Sequence, residues 1–325
     1  MIKYIKKNKK SEKPEAKKSQ KPEAKKIEYK KRKTTNNMLP YRIYLSGGGM
    51  CAMAHVGALI ELSNHVPLKA VKEWMGVSAG ALIVMSLCIG FTLEEMKEFC
   101  VKFDFTNITD YDSVPGCLLH FGIDTGERLH KLIEAMLHIK GLSSDFTFKE
   151  CYEKFGLSLK IIATDLNEAA VITFSSTDTP NYKISNAVRA SMTFPYYFQP
   201  FICPETNHYL VDGAVISNYP LFILPKEEHS RTLSVIIRTS VDKVKDITEL
   251  EFDKLITRPL RISLMEKGNL ELKIYDSNCV EINLGNLNIL EFSFDEETKN
   301  FIIKKGKEAV DLYFKKRKIK RRNSL

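Results

Sequence analysis

The segment WMGVSAGALIVMSLCIG, residues 74–90, decides the fold of this chain. Residues 76–80 within it read GVSAG, the G-x-S-x-G pattern of a nucleophile elbow, where a strand turns sharply into a helix and exposes a serine hydroxyl. The residues two before and two after the serine must be small, because strand and helix pack closely at such a strained turn. Gly76 and Gly80 meet that requirement, so Ser78 is the candidate nucleophile.

The residues on either side of this pentapeptide predict the order of elements that an elbow needs. Residues 70–77 are typical of a short strand, and residues 81–89 are apolar and long enough for a buried helix. No charged residue occurs over residues 74–93, and an uncharged stretch of that length could also cross a bilayer as a helix. Its three glycines and the elbow serine favour a buried core segment, which is our interpretation.

A glycine-rich turn precedes this segment. Residues 41–45 predict a strand, SGGG at residues 46–49 ends it, and residues 50–62 predict a helix. Backbone N–H groups exposed where a helix begins suit either a bound phosphate or the oxyanion of ester cleavage. The chain lacks the Gly-Lys-Ser/Thr of a P-loop and the acidic residue of a dinucleotide fold, whereas Ser78 follows the next strand. In a parallel sheet the loop and the serine emerge at the same edge, which favours an oxyanion hole.

A carboxylate follows a later predicted strand. Residues 208–211 predict that strand, and Asp212, Gly213 and Ala214 come directly after it. The end of a strand is where a sheet presents reactive groups, and the glycine lets another backbone approach closely. Asp-Gly is also a common turn signal. Taken alone, the motif therefore predicts either a catalytic carboxylate or a turn.

The rest of the chain alternates between predicted helices and strands. Helices are predicted at residues 94–102, 126–139, 184–192, 252–267 and 300–316, and strands at residues 157–165, 170–174 and 232–239. Residues 111–122 predict a looser connection.

Two sets of ring-bearing side chains in this part have more than one interpretation. The aromatic set could line an acyl-binding cleft, although core packing is the favoured role. Its members are Phe194, Tyr196, Tyr197, Phe198 and Phe201. The histidines lack the H-E-x-x-H pairing of a zinc site, which favours surface or packing roles. They are His120, His130 and His138.

Charge is distributed unevenly along the 325 residues. The net charge is +9, yet residues 1–37 hold 15 Lys/Arg against 4 Glu, and residues 315–322 add seven basic residues without an acid. The first of these segments, with its repeated KPEAKK, predicts disorder, because it cannot bury enough apolar surface to offset its ordering entropy. The basic ends have three open interpretations: a solubilising spacer or solvated helix end, attraction to anionic lipid or nucleic acid, and a localisation signal, which would be nuclear at the C-terminus.

Composition also bears on the cellular compartment. The seven cysteines are odd in number and include no C-x-x-C pair, which favours a reducing compartment. The lysine-rich start never gives way to an apolar run, so no secretory signal is predicted. A hydrophobic content of 44% supports one large core. We expect an intracellular protein, either cytoplasmic or peripheral at membranes.

Five motifs in order make the chain similar to the patatin-like phospholipase family. They are SGGGMCAMAHVGAL at residues 46–59, GVSAG at 76–80, ATDLN at 163–167, AVRASMTFPYYFQP at 187–200 and DGAVISNYP at 212–220. The resemblance covers roughly residues 41–225. It implies an α/β fold, specifically a three-layer α/β/α patatin-like fold with a mainly parallel central sheet. It also implies catalysis by a serine–aspartate dyad, which needs no histidine.

The resemblance assigns roles to individual residues. Ser78 matches the nucleophile and Asp212 the proton acceptor, while His55 in the matched loop helix is interpreted as structural. Burial in an apolar cleft should raise the pKa of Asp212 and make it a better base for a serine hydroxyl. The oxyanion-hole residues are Gly47, Gly48 and Gly49, and the glycines that support the motifs are Gly76, Gly80 and Gly213.

Two loop positions depart from the family pattern. The family's loop usually continues with a basic residue and then glycine, where this chain has Cys51 and Ala52. The missing positive charge removes one contact to a lipid phosphate, although the backbone N–H donors remain. Ala52 would cost about 1 kcal/mol or more if a left-handed conformation were required there.

The resemblance implies a phospholipase A-type lipid acyl hydrolase that cleaves fatty acyl esters of membrane glycerophospholipids or related acyl-ester lipids. The alternatives are a non-catalytic lipid- or membrane-binding scaffold with the same fold and, less favoured, a nucleic-acid binder that uses the basic ends. Neither an EF-hand loop nor a zinc spacing is present, so no metal and no cofactor are predicted. The predicted domains are a lysine-rich tail at 1–37, the catalytic domain at 38–230, the C-terminal part of that domain at 231–314 and a basic tail at 315–325.

Overall fold

The part of the chain described by the structure, a computed structural model, comprises residues 39–111, 116, 119–275 and 278–322. The predicted tail at residues 1–37 lies outside it. The strands are β1 (Arg42–Leu45), β2 (Glu73–Val77), β3 (Gly122–Asp124), β4 (Ser158–Asp165), β5 (Ala170–Ser175), β6 (Tyr196–Phe198), β7 (Phe201–Ile202), β8 (Tyr209–Asp212), β9 (Thr232–Arg238) and β10 (Cys279–Asn283).

Within the described ranges, eight strands form the central sheet in the order β10-β9-β1-β2-β4-β8-β7, with β5 also paired to β4. The pairs β1–β2, β1–β9, β9–β10 and β2–β4 are parallel. The pairs β4–β5, β4–β8 and β7–β8 are antiparallel. Strands β3 and β6 form a separate parallel pair. The central sheet is mostly parallel, so the predicted mixed α/β class is confirmed.

The helices lie between these strands and after them. The α-helices of the described residues are α1 (Met53–Ser63), α2 (Ala79–Cys88), α3 (Leu93–Lys102), α4 (Glu127–Ile139), α5 (Phe148–Phe155), α6 (Ile184–Ser191), α7 (Lys226–His229), α8 (Phe252–Ile274) and α9 (Glu296–Arg322).

Three helices differ from their predicted bounds. A 3-10 turn, Gly49–Ala52, precedes α1, so the predicted helix starts with a tighter turn. Helix α8 extends past the predicted end at residue 267, because Leu272 packs in the core and this burial outweighs the roughly 1 kcal/mol cost of Gly268 inside a helix. Helix α9 includes the basic run at residues 315–322, which is therefore a helix end.

Helices α5 and α7 and strands β3, β6, β7 and β10 were not predicted. Helix α5 begins with a capping box, in which the Thr147 hydroxyl accepts from the N–H of Glu150 and the Glu150 carboxylate accepts from the N–H of Thr147. The T-x-x-E spacing is itself a sequence signal for a helix start. A search for capping boxes would therefore have found this helix.

Alternate residues of the central strands point to opposite faces of the sheet, and both faces are buried. In β1, Ile43 and Leu45 pack in a core cluster with α1, α2 and α6, whereas Tyr44 packs in a second cluster on the other face. That second face is covered by Leu264 of α8 and by the 3-10 turn Leu221–Ile223. The molecule therefore has a helical layer, a sheet and a second helical layer.

The uncharged residues 74–93 belong to this core. They comprise β2, the turn at Ser78 and the ten-residue helix α2, and most of their side chains are buried. In the part of the chain that the structure describes, no helix combines the length and the apolar character needed to cross a bilayer.

Candidate active site

Ser78 occupies the sharp turn between β2 and α2. Its backbone angles, φ 55° and ψ −132°, fall in a region that non-glycine residues rarely adopt. A Cβ atom at Gly80 would lie 2.4 Å from the carbonyl oxygen of Leu45, and one at Gly76 would lie 2.7 Å from the backbone nitrogen of Ala81. Neither distance leaves room for a side chain, so the two glycines allow the close packing that holds the strained serine.

Ser191, at the end of α6, stabilises the turn at Ser78 through hydrogen bonds. Its Oγ accepts a hydrogen bond from the N–H of Ser78 at 2.8 Å and donates to the carbonyl oxygen of Ile162 at 2.6 Å. Sequence reasoning missed this role although Ser191 lies in the matched motif at residues 187–200, because a contact between residues 113 positions apart leaves no local pattern.

Strand register places Asp212 beside Ser78. Val77, the last residue of β2, pairs with Ile162 of β4, and Asp212, the last residue of β8, pairs with Ala163. Because β5 occupies the opposite side of β4 at this level, β2 and β8 lie end to end on the same side. The turn after β2 therefore meets the end of β8, and the side chain of Ser78 lies close enough to the carboxylate of Asp212 to act on its pKa.

The environment of Asp212 favours a neutral carboxyl more than water does. The residue is 1% exposed, and this burial raises its pKa to about 7. The hydroxyl of Ser78, the N–H of Ala214 (2.9 Å from Oδ1) and the charge of Lys267 act in the opposite direction. A carboxylate that titrates near neutrality is a stronger base than an ordinary one with a pKa of about 3.9. Asp212 can therefore accept the serine proton without a histidine.

The glycine loop between β1 and α1 faces Ser78. A Cβ atom at Gly47 would lie 2.9 Å from the Cβ of Ser78. The N–H of Gly47 donates to Oδ1 of Asn218 at 2.7 Å, so it is already used, which differs from the expectation of three glycine donors. Among the residues that the structure describes, no acceptor is paired with the N–H of Gly48 or Gly49. These two groups can bind an oxyanion, while Asn218, which sequence reasoning did not single out, holds the loop.

Helix α2 offers a further donor. Ala79 is its first residue, and the N–H groups of a first helical turn have no acceptor within the helix. The residue after the nucleophile supplies one oxyanion donor in nucleophile elbows generally. The dipole of α2 adds positive potential at the same point.

The first turn of helix α1 contacts the residue that precedes the glycine loop. The Nε2 atom of the fully buried His55 lies 2.8 Å from the carbonyl oxygen of Ser46, and burial lowers the pKa of His55 to about 4. The ring is therefore neutral and donates to the residue that precedes the loop. Burial raises the pKa of the Cys51 thiol to about 12, so Cys51 carries no charge. The backbone of Ala52 has a right-handed conformation, with φ −64°, so the energetic cost expected for a left-handed alanine does not arise.

Ser78, Asp212 and the glycine loop open into a cavity of about 540 Å³. Its volume falls within the range of about 300–1,000 Å³ typical of ligand pockets. Its lining is mostly apolar and includes residues of helices α1 to α4 and α8 and of the segment 289–292. The lining includes Met53, Leu82, Phe99, Leu132, Met136 and Leu290. The shape and lining suit a hydrocarbon chain.

The predicted aromatic cluster divides between the cavity and the core. Phe194 and Phe198 line the cavity, whereas Tyr197 is buried and stacks on Phe292. Tyr196 is 49% exposed. Among the described residues that line the cavity there is no histidine.

Helix α8 brings positive charge to the site. The half-buried side chain of Arg261 lines the cavity, and within the described residues it has no hydrogen-bond or ion-pair partner. Arg258, one turn earlier, donates to the backbone carbonyl of Asp242. Lys267 contacts the turn that follows Asp212. None of these contacts was visible in the sequence.

The family model described as "Patatin-like phospholipase" matches residues 43–225, which are more than half of the chain and include the glycine loop, the elbow and Asp212. The chain belongs to the patatin-like phospholipase family. The resemblance read from the five motifs is therefore confirmed. The family match ends before α8, so Arg261 and Lys267 lie outside it.

Two viral proteins are similar to this patatin-like chain. "Probable lipid hydrolase 463L" of Invertebrate iridescent virus 6 is 28% identical over 191 residues, which cover 58% of this chain and 64% of that protein. "Uncharacterized protein R571" of Acanthamoeba polyphaga mimivirus is 34% identical over 180 residues, which cover 54% of this chain and 59% of that protein. The chain thus spans less than two thirds of the length of either relative.

A solved structure resembles the patatin-like fold described here. VipD from Legionella pneumophila superposes with a TM-score of 0.59 at 17% identity, and the match covers 85% of this chain and 67% of that one. At such low identity the likeness shows the fold alone.

Proposed function

We propose that this protein is a lipid acyl hydrolase of the phospholipase A type, which cleaves fatty acyl esters of glycerophospholipids. The observation that carries the proposal is the placement of Ser78 beside the buried Asp212 where both line one apolar cavity. Family membership and the name of the viral relative, "Probable lipid hydrolase 463L", support lipid hydrolysis in the broad sense.

In the proposed reaction, the Ser78 hydroxyl attacks the ester carbonyl carbon while Asp212 takes its proton. The N–H groups of Gly48, Gly49 and Ala79 bind the negative oxygen of the tetrahedral intermediate, each contributing roughly 3 to 4 kcal/mol. Asp212 then returns the proton to the leaving alcohol as the carbon–oxygen bond breaks. A water molecule that gives its proton to Asp212 then attacks the carbonyl carbon of the acyl-serine. As the bond from that carbon to Oγ breaks, Asp212 returns the proton to Oγ of Ser78, and the fatty acid is released.

Product analysis tests this activity. The wild-type protein, incubated with a glycerophospholipid, should yield equal amounts of free fatty acid and lysophospholipid by mass spectrometry. Binding to the lipid without either product would support the non-catalytic scaffold instead. The two loop departures do not favour that scaffold, because Ala52 is right-handed and the proposed donors belong to Gly48, Gly49 and Ala79.

Arg261 supports a substrate that carries a phosphate. A half-buried guanidinium loses part of its hydration, and burial accordingly lowers its pKa. Its charge acts on the Cys51 thiol, which places it on the glycine-loop side of the cavity. An anionic group on the substrate would offset the lost hydration, and guanidinium groups bind phosphate oxygens with two parallel hydrogen bonds. A lipid phosphate at Arg261 would lie in the cavity that Ser78 also lines.

Substitution of this arginine should separate phospholipids from neutral lipids. Arg261→Gln should lower kcat/KM for phosphatidylglycerol about tenfold, or about 1.4 kcal/mol, near the low end for hydrogen bonds to charged groups. For a monoacylglycerol with the same acyl chain, kcat/KM should change little, because that ester offers the guanidinium no anion. Fatty acid release from mixed detergent micelles measures both values.

Arg258→Gln is the matched control for this prediction. It removes the same charge from the same helix, but Arg258 bonds the Asp242 carbonyl and does not line the cavity. The ratio of the two kcat/KM values should therefore stay at the wild-type level. Equal losses on both lipids in Arg261→Gln, or a similar change of the ratio in Arg258→Gln, would contradict phosphate recognition by Arg261.

A further inference from the structure

Lys267 contacts the turn that carries Asp212, and it does so from a helix outside the matched family region. Its Nζ donates hydrogen bonds to the carbonyl oxygens of Ala214 at 3.0 Å and of Val215 at 2.5 Å. The family match covers residues 43–225, whereas α8 begins later in the chain. Part of the support for the aspartate therefore comes from beyond the region that defines the family.

The backbone of Ala214 connects Lys267 to the carboxylate of Asp212. Its N–H donates to Oδ1 of Asp212 at 2.9 Å, and its carbonyl oxygen accepts from Lys267. The same turn lies tightly against β4, since a Cβ atom at Gly213 would be 2.5 Å from the carbonyl oxygen of Ile162. Lys267 thus fixes the orientation of the residue whose amide holds the Asp212 side chain.

Lys267 also sets the charge balance around the aspartate. Asp212 faces the hydroxyl of Ser78 from the elbow, the phenol of Tyr44 from β1 and the ammonium group of Lys267 from α8. Glu271, one turn after Lys267, is a second buried carboxyl group. Burial raises the pKa of both Asp212 and Glu271, and the charge of Lys267 lowers the pKa of both. The charge of the ammonium group therefore acts on two carboxyls that burial would otherwise neutralise.

We propose that Lys267 is a positioning residue of the catalytic dyad, which orients the Asp212 carboxylate through the turn at residues 213–215 and supplies a positive charge near it. This inference rests on the function proposed above. Only the ionised carboxylate can take the serine proton, so a neighbouring cation increases the fraction of enzyme that is ready to react at neutral pH. Burial keeps the same carboxylate a stronger base than one in water.

A purely structural role for Lys267 makes a different prediction. A lysine that only ties α8 to the core would change the free energy of unfolding when it is replaced, but it would leave the ionisation of Asp212 unchanged. The pH dependence of the reaction therefore distinguishes the two roles.

The experiment compares variants of Lys267 with a matched variant on the same helix. Lys267→Met removes the charge and the donors, Lys267→Arg keeps both, and Lys273→Met removes a charge from an exposed position of α8. The measured quantity is kcat/KM for a water-soluble p-nitrophenyl acyl ester between pH 5 and 9. In Lys267→Met, the rise of kcat/KM on the acid side of the pH profile, called the acid limb below, should move to higher pH by about one unit. This is a small shift for the loss of a neighbouring opposite charge. Lys267→Arg should restore most of the shift, and Lys273→Met should match the wild type.

Several outcomes would overturn the proposal. One is an unchanged acid limb in a folded Lys267→Met protein, and another is an equal shift in Lys273→Met. If Lys267→Met does not fold, Lys267→Gln keeps an amide donor for the two carbonyls while still removing the charge. Its acid limb should move in the same direction, and a wild-type profile would count against the proposal.

A measurement without turnover separates this inference from the proposed function. Carboxyl carbon NMR can follow the titration of Asp212 in the Ser78→Ala protein, with and without Lys267→Met. The midpoint should be higher when Lys267 is absent, and equal midpoints would overturn the inference. If the wild type hydrolyses no ester while Lys267→Met still raises the midpoint in the Ser78→Ala protein, the proposed function is refuted and the placement of Lys267 is supported.

Discussion

Ser78→Ala should abolish ester hydrolysis, with kcat falling by at least about three orders of magnitude, and should prevent labelling by a fluorophosphonate probe. The reason is that the Oγ atom forms the covalent bond to the acyl group or to the probe. The fold should persist, because the N–H of residue 78 keeps its hydrogen bond to Ser191 and the side chain only becomes smaller. Gel detection of the probe, fatty acid release and circular dichroism measure the three results.

Ser86→Ala is a matched control for the labelling experiment. Ser86 also lines the cavity, but its hydroxyl donates to the carbonyl of Leu82 in its own helix. The probe should not label Ser86 in the wild type or in Ser78→Ala. In Ser86→Ala, the probe should still label Ser78 as it does in the wild type. Labelling of Ser78→Ala, or a kcat that falls by less than about three orders of magnitude, would refute the serine mechanism.

The parts of this site that depend on local backbone geometry were predictable. The elbow needs small residues at fixed spacing, and the structure gives the steric reason at Gly76 and Gly80. The carbonyl oxygen that excludes a side chain at Gly80 belongs to Leu45 in β1. The spacing of glycines in this pentapeptide is therefore set by the packing of β1, β2 and α2. The glycine loop and the direction of the pKa change at Asp212 follow from equally general requirements.

The parts that depend on distant residues were not predictable. Asn218 accepts a hydrogen bond from the N–H of Gly47, 171 positions away in the sequence, and Lys267 donates one to the carbonyl of Ala214, 53 positions away. A hydrogen bond between a side chain and a remote backbone group imposes no spacing on the sequence. The expectation of three glycine donors differs from the structure for this reason, since nothing near Gly47 indicates that its N–H is already bonded.

Asp212→Asn should lower kcat by at least about two orders of magnitude and at the same time stabilise the fold above neutral pH. Asparagine cannot take the serine proton, but it can accept the N–H of Ala214 as the carboxylate does. It also mimics the neutral, protonated form that the buried site prefers. Kinetics at pH 8 and urea unfolding at pH 5 and pH 8 measure the two effects.

The sign of the stability effect follows from the raised pKa of Asp212. Its ordinary pKa is 3.8 and burial raises it to about 7, so between these pH values the folded state holds a proton that the unfolded state has released. The wild type therefore loses stability as the pH rises through this window, by up to about 4 kcal/mol once the folded carboxyl is ionised. The asparagine variant lacks this loss, so its advantage over the wild type should grow from pH 5 to pH 8. A difference that does not depend on pH would contradict a titrating Asp212.

Asp165, at the end of β4, provides a control of opposite sign. Burial acts to raise its pKa, but hydrogen bonds from His208 and from the N–H groups of Glu168 and Asn167 outweigh burial and lower it. Its ionised form therefore stabilises the fold above the unfolded pKa, and this contribution disappears as the pH falls through the folded value. Asp165→Asn should destabilise the protein most at neutral pH and leave hydrolysis intact, because Asp165 does not line the cavity. If both variants shifted stability in the same direction, desolvation of Asp212 would not be the cause, and its role as a base near neutrality would lose its physical basis.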